Sequence, residues 1–144
     1  MKPYFYLLIL VSFLLNLLWE NSHGALYITD KQWMQNLAYI PCSLGDIMLV
    51  LICYAGISLF LNNWNWGIEA NTKQLVYLFL FSAFVAFVAE KIAIDMAWWQ
   101  YNREMPQIPI FEIGLSPWLQ ISITPTLSVI SAKMLNKQKR VWKK

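Results

Sequence analysis

The apolar run at residues 75–97 constrains the fold most, because it is long enough to cross a bilayer and yet carries charged side chains. Those side chains are Glu90, Lys91 and Asp95. On a helix, Glu90 shares one face with small residues that let membrane helices approach closely: Ser82, Ala86, Ala89, Ala93 and Ala97. We therefore predict that Glu90 points into a helix bundle, while Lys91 and Asp95 pair with each other. An acid inside a membrane costs roughly 2.5–3.5 kcal/mol and marks a candidate site, although a structural acid tied to polar neighbours fits equally well.

Four such runs lie along the 144 residues and predict an all-α, polytopic membrane protein folded as a four-helix bundle. Their expected bounds are 3–20, 37–61, 75–97 and 108–132. Charged residues make up 13% of the chain, against about 25% in soluble domains, so we expect a single membrane domain over residues 1–144. We interpret the first run as a span and not as a signal peptide, because it is long and ends in Trp19 and Glu20.

A basic tail at residues 133–144 holds six of the eleven lysines and arginines. Because such tails favour the cytoplasmic side, four spans place both termini in the cytoplasm, and the expected location is a bacterial inner membrane. The tail suits anionic lipid head groups, whereas nucleic-acid binding would need a folded basic face that the sequence does not indicate. In this topology the turn at residues 62–74 is cytoplasmic, and the loops after the first and third spans lie outside.

This topology brings one carboxylate from each span into the outer half of the bundle. Carboxylates in one low-dielectric pocket must share protons, hold a cation or pair with bases. We therefore predict four catalytic residues, with the first two as the acid–base pair: Glu90, Asp46, Glu20 and Glu112. Polar and aromatic side chains at or near this level are the predicted substrate-binding residues: Asn16, His23, Trp19, Trp98, Trp99, Trp118, Gln120 and Tyr101.

The residue inventory excludes several kinds of site. The single histidine, His23, cannot supply both axial ligands of a haem, and Cys42 and Cys53 lie too far apart on one helix to form a disulfide. No Gly-rich phosphate loop or nucleophile elbow occurs, and we expect no serine partner for His23, which argues against a hydrolytic triad. We expect no cofactor and no resident metal; a divalent cation held by three carboxylates and His23 is the open alternative.

The segment between the third and fourth expected spans resembles a known family. The matching residues are Asp95, Trp99 and Tyr101, followed by the run MPQIPIFE, which contains Pro109 and Glu112. They resemble a segment of small bacterial carotenoid-processing membrane proteins of the lycopene-cyclase-domain type. That family usually has adjacent paired acids behind the proline, where this chain has one. The segment is also similar to short uncharacterised bacterial membrane proteins. The first resemblance implies cofactor-independent isomerisation, cyclisation or hydration of an isoprenoid-like lipid by acid–base chemistry.

Three classes of function fit the sequence. The first, which we expect, is an enzyme that takes a hydrophobic small molecule from the membrane lipids. The second is a cation or proton pathway or a metal-transport subunit, which would need a homo-oligomer to enclose a pore, because four helices are few. The third is a non-catalytic assembly subunit in which the acids only join helices. The distance between Asp46 and Glu90 is decisive, because acid–base chemistry requires the two carboxylates at one level of the bundle.

Overall fold

The computed structural model describes residues 2–28 and 39–141, and four long helices make up most of this part of the chain. They are α1 (Lys2–His23), α2 (Tyr39–Phe60), α3 (Thr72–Asp95) and α4 (Leu115–Val141). Three stretches are long and apolar enough to cross a membrane: Pro3–Leu26, Tyr39–Phe60 and Thr72–Asp95. The predicted all-α membrane fold is therefore confirmed in class, and the first three expected spans match these helices to within a few residues.

Short elements occupy the connections between the helices. Two 3-10 turns span Gly24–Leu26 and Trp66–Glu69. Two antiparallel strand pairs are also present, β1 (Tyr27–Ile28) with β2 (Gln100–Tyr101), and β3 (Gln107–Ile108) with β4 (Ile113–Gly114). The first pair ties the end of α1 to the connection between α3 and α4. Both pairs therefore lie at the end of the bundle where α1 and α3 finish and α4 begins.

The fourth helix begins at Leu115, later than the predicted start at residue 108. The apolar residues before it form the β3–β4 hairpin, and the Leu115 N–H donates to the carbonyl oxygen of Pro106 over 2.7 Å. Pro117 then falls in the first helical turn, where a missing N–H costs nothing. At the other end the helix continues to Val141, well into the basic tail.

α4 is the most enclosed helix of the bundle. From residue 113 to residue 132, only Leu127 is exposed. Its buried polar side chains face the other helices: Gln120, Ser122, Thr124 and Ser128. Trp118 donates to the carbonyl oxygen of Ala83 on α3, and Lys133 donates to that of Ala70, just before α3. These two contacts show that α4 runs antiparallel to α3 along most of its length.

The half of the bundle that lies away from the strand pairs is packed with apolar side chains. Its buried members include Leu8 on α1, Leu78 on α3 and Val129 on α4. At the far end Tyr54 stacks on Trp66 with ring centroids 5.0 Å apart, and the Trp66 indole donates to a serine hydroxyl of α2. In a bilayer this half holds the helices together by van der Waals packing, because lipid is as apolar as these side chains and burial from it gives no hydrophobic gain.

Gly67 allows this aromatic packing, so replacing it with alanine should destabilise the protein. A Cβ atom there would lie 2.2 Å from the hydroxyl of Tyr4 and 2.8 Å from the ring of Tyr54, and both side chains are buried. We expect Gly67→Ala to lower the free energy of unfolding by about 1–3 kcal/mol, as overpacking does.

The matched control is Gly45→Ala, because no atom lies within 4 Å of a Cβ built at that helical position. Alanine favours a helix by about 1 kcal/mol over glycine, so this variant should keep or raise the melting temperature in detergent. Equal melting temperatures for the two variants would contradict the packing described for Gly67.

Candidate functional site

The side-chain amide of Gln120 joins three helices at the end of the bundle that holds the strand pairs. Its Nε2 lies 2.7 Å from Oδ2 of Asp46 on α2, 3.0 Å from Oε1 of Glu20 on α1, and 3.1 Å from Oδ1 of Asn16. The side chain of Gln120 is 2% exposed, so water does not compete for these contacts. The carboxylates of Glu20 and Asp46 therefore meet at one amide donor, as the sequence predicted for their level in the bundle.

The polar residues of α1 form a continuous inward face. Ser12, Asn16 and His23 are buried, and Glu20 is 12% exposed. The amide of Asn16 donates to the backbone carbonyl of Ser12 over 2.9 Å, which leaves its own oxygen free to accept from Gln120. Polar side chains at helical spacing on an apolar rod thus turn into the bundle, where α4 supplies their partners.

His23 bridges a serine and a carboxylate, contrary to the prediction that it has no serine partner. Its Nδ1 lies 2.9 Å from Oγ of Ser116, and its Nε2 lies 3.2 Å from Oε1 of Glu20. The indole N–H of Trp19 also reaches Ser116 Oγ, at 3.3 Å. Ser116 is the second residue of α4, so the late start of that helix brings its hydroxyl level with the end of α1.

Glu90 lies on the buried face of α3, as predicted, and is 7% exposed. Its Oε2 accepts a hydrogen bond from the phenol of Tyr101, and the Trp99 ring lies beside both groups. Small residues on the same face of the helix are buried with it: Ser82, Ala86 and Ala93. Glu90 therefore has a neutral hydrogen-bond partner, whereas the half-buried Lys91 and the exposed Asp95 pair with each other at 3.0 Å.

Two residues in the β1–β2 pair place aromatic rings over this network. Tyr27 pairs with Tyr101 in the strand register, and their ring centroids lie 5.7 Å apart. The Tyr27 ring also meets His23 edge-on at 5.4 Å and Trp99 at 6.2 Å. Asn102 holds the pair in place, because its backbone and side-chain N–H groups donate to the carbonyls of residues 26 and 25. The aromatic residues thus cover the carboxylates at the end of the bundle.

The electrostatics of Tyr27 show that the three inward acids form one cluster. Burial raises the pKa of the Tyr27 phenol above its usual range, and the negative charges of Glu90, Glu20 and Asp46 raise it further. Acids on three different helices therefore act on one side chain. Asp46 and Glu90 are thus both near Tyr27, and their role as an acid–base pair stays a prediction.

Three predicted site residues lie outside the cluster. Glu112 is exposed in the turn of the β3–β4 hairpin with φ of 57°, so it lies before the fourth helix and not inside it, as the expected span 108–132 had placed it. Trp98 follows the end of α3 and is 63% exposed. Trp118 packs at the α3–α4 interface, where its indole donates to a backbone carbonyl 3.0 Å away. Among the predicted aromatic residues, Trp19, Trp99 and Tyr101 therefore remain at the site.

The carboxylates of the site have protein hydrogen-bond donors as their partners. Among residues 2–28 and 39–141, no group of three or more His, Cys, Asp and Glu side chains is placed to hold a metal ion. The carboxylate oxygens are instead engaged by an amide, an imidazole and a phenol, which are donors that orient acids and bases.

Comparison with known proteins adds no assignment: no family model, no curated protein and no solved structure matches this chain.

Removal of the Gln120 amide should loosen the site. Gln120→Leu leaves oxygens of Asn16, Glu20 and Asp46 without their shared donor, and each buried unsatisfied group costs about 1–3 kcal/mol. We expect a lower melting temperature in detergent. Gln138→Leu, at an exposed position of the same helix, is the control and should leave the melting temperature nearly unchanged. A similar small shift in both variants would show that the amide network contributes little to stability.

Tyr101 should stay neutral in the folded protein above the pH at which free tyrosine ionises. Burial raises the pKa of Tyr101, and its hydrogen bond to Glu90 raises it further. An unfolded tyrosine ionises near pH 10, so the unfolded chain releases this proton first and the folded state loses stability as pH rises above about 10.

The near-ultraviolet absorbance of tyrosinate tests this directly. Between neutral pH and about pH 11, the folded wild type and the folded Tyr101→Phe variant should gain the same tyrosinate absorbance, because Tyr101 stays neutral. After unfolding in detergent, the variant should gain less than the wild type by the absorbance of one tyrosinate. If the folded variant gained less absorbance than the folded wild type at about pH 11, Tyr101 would be ionised in the wild type, which would contradict the buried phenol bonded to Glu90.

Proposed function

We propose that this protein is a membrane enzyme that moves protons on a lipidic, isoprenoid-like substrate, in an isomerisation, cyclisation or hydration without a redox cofactor. The observation that carries the proposal is the meeting of Asp46 and Glu20 at one Gln120 amide nitrogen, beside a Glu90 bonded to a phenol. Reactions of this class need one group that donates a proton and another that accepts one. Two acids in different surroundings supply both.

The two sets of partners assign the roles. An amide nitrogen has two hydrogens, yet three oxygens lie within 3.1 Å of Gln120 Nε2, so one of the paired acids is best satisfied when it holds a proton. The Asp46–Glu20 pair is therefore the proton donor. Glu90 accepts from Tyr101 and is the base. After one turnover the Asp46–Glu20 pair has lost a proton and Glu90 has gained one, so a proton returns from Glu90 to the pair before the next cycle.

The lipidic character of the substrate is inferred from the surroundings of the acids. Aromatic rings of Tyr27, Trp99 and Tyr101 cover the cluster, and such rings stabilise the positive charge that develops when an alkene is protonated. Exposed apolar side chains flank this end of the bundle, among them Met96 and Ile110. The resemblance of residues 95–112 to carotenoid-processing proteins points to the same chemistry.

We also propose that α4 is a fourth span and that both termini are cytoplasmic. α4 contacts α1 through Ser116 at one end and the start of α3 through Lys133 at the other, so it follows the neighbouring helices through the bilayer. Its polar residues face protein, which lowers its hydropathy without exposing them to lipid. The basic tail then lies on the cytoplasmic side, and the acid cluster lies near the outer surface.

Deuterium incorporation tests the proposal without knowledge of the substrate. The full-length protein in vesicles made from a carotenoid-containing bacterial lipid extract is incubated in D₂O, and lipids are analysed by mass spectrometry. Protonation at carbon leaves a carbon-bound deuterium, so one lipid class should gain mass. Asp46→Asn and Glu90→Gln should each slow this gain by about 100-fold or more, as expected for loss of an acid or a base.

The control is Glu69→Gln, which removes an exposed carboxylate at the other end of the bundle and should leave incorporation unchanged. The absence of deuterium from every lipid, or incorporation that survives both site variants, would sink the proposal. If Asp46→Asn instead abolished proton flux across the vesicles, the second function expected from the sequence, a proton pathway, would replace it.

A further inference from the structure

Ser116 and His23, which the proton-transfer proposal does not use, form a hydrogen-bonded chain with Glu20 of the acid pair. The serine Oγ lies 2.9 Å from one ring nitrogen of His23, and the other ring nitrogen lies 3.2 Å from the Glu20 carboxylate. His23 is 4% exposed and Glu20 is 12% exposed. Such an order, hydroxyl to imidazole to carboxylate, is the one by which proteins activate a serine as a nucleophile.

The carboxylate of Glu20 sets the direction of this chain. An ionised carboxylate only accepts, so Nε2 of His23 carries the ring proton and donates to Glu20. In the neutral ring Nδ1 is then free to accept from the hydroxyl of Ser116, whose oxygen also accepts from the Trp19 indole. The imidazole is therefore in the tautomer that can take a proton from the serine.

The start of α4 supplies a place for a developing negative charge. Ser116 is the second residue of a long helix, and the N–H groups of a first helical turn have no acceptor within the helix. The Leu115 N–H is taken by Pro106 and Pro117 has none, so the N–H groups of Ser116 and Trp118 and the positive end of the helix dipole are what favours an oxyanion beside the serine. The preceding hairpin fixes this turn through the bond from the Leu115 N–H to the Pro106 carbonyl.

The same hairpin indicates the class of substrate. Its turn presents Ile110, which is 92% exposed, and Phe111, whose ring packs edge-on against Phe87 of α3 at 5.0 Å. Apolar side chains at the tip of a hairpin beside a membrane helix favour contact with lipid. Ser116 is the second residue of the helix that follows this hairpin, so a lipid ester that contacts the hairpin lies close to the serine.

We propose that Ser116 is the nucleophile of a second activity, the transfer of an acyl group from a lipid ester. Ser116 Oγ bonds to the ester carbonyl carbon while its proton passes to His23 Nδ1, and Glu20 stabilises the imidazolium. The bond from the carbonyl carbon to the alcohol oxygen breaks, and the alcohol takes the proton from His23. Water or a second hydroxyl then removes the acyl group from Ser116, with His23 as base.

A fluorophosphonate with an alkyl chain tests the nucleophile on the full-length protein in lipid vesicles. Attack by Ser116 forms an O–P bond and breaks the P–F bond, fluoride leaves, and His23 takes the serine proton. We expect one adduct, located on Ser116 by mass spectrometry of peptides. Ser116→Ala should abolish it, and His23→Asn should slow its formation by about 100-fold or more.

The matched control is Ser22→Ala, because Ser22 is an exposed serine at the same end of the bundle whose hydroxyl donates to its own helix backbone. It should label at the rate of the wild type. As a positioning residue, Glu20 is tested by Glu20→Gln, which should shift the pH at which labelling reaches half of its maximal rate. An adduct at another residue, or a rate that His23→Asn does not change, overturns the proposal.

A cysteine variant keeps the test decisive if Ser116→Ala fails to fold. The thiol of Ser116→Cys should react with iodoacetamide about tenfold faster than the thiol of Ser22→Cys, because an adjacent imidazole favours the thiolate. Equal rates overturn the proposal. The outcome is separate from that of the deuterium experiment, because labelling reports Ser116 and deuterium incorporation reports Asp46 and Glu90.

Discussion

The contacts of one amide nitrogen set the register of three helices. Gln120 on α4 meets oxygens of Asn16, Glu20 and Asp46 within 3.1 Å, and it does so inside a bundle that would otherwise exclude charge. The free-energy cost of burying a carboxylate without hydrogen-bond partners is far larger than the free energy gained from one apolar contact. A rotation of α1 or α2 by one residue would break these bonds, so the network selects one arrangement among many apolar packings.

The helices and the inward acids could be predicted because both leave a local signature. Apolar runs mark the spans, and polar residues that recur at helical spacing mark the face turned to protein. This reasoning placed Glu20, Asp46 and Glu90 together. It failed at Glu112, because a hairpin of apolar residues, with Ile110 and Glu112 at positive φ, has the same composition as the first turn of a membrane helix.

Ser116 and Tyr27 could not be predicted as site residues, because their positions depend on contacts between distant parts of the chain. A strand of two residues has no periodicity, yet the pairing of Tyr27 with Tyr101 decides which rings lie over His23. The partner of His23 is fixed by where α4 begins, and that start is fixed by the hairpin before it. The available signal was the four-residue step from Ser116 to Gln120, which places both on one face of a helix.

The polar character of α4 explains why one half of the bundle holds the titratable groups and the other half holds the apolar packing. A helix that carries serine, threonine and glutamine is too polar to face lipid, so it takes the central position and α1, α2 and α3 present their apolar faces outward. In the half that holds Leu8, Leu78 and Val129, apolar packing holds the helices together. The other half is thereby free to keep titratable groups close to one another, an arrangement that proton transfer and an activated serine both require and that a uniformly apolar core would not contain.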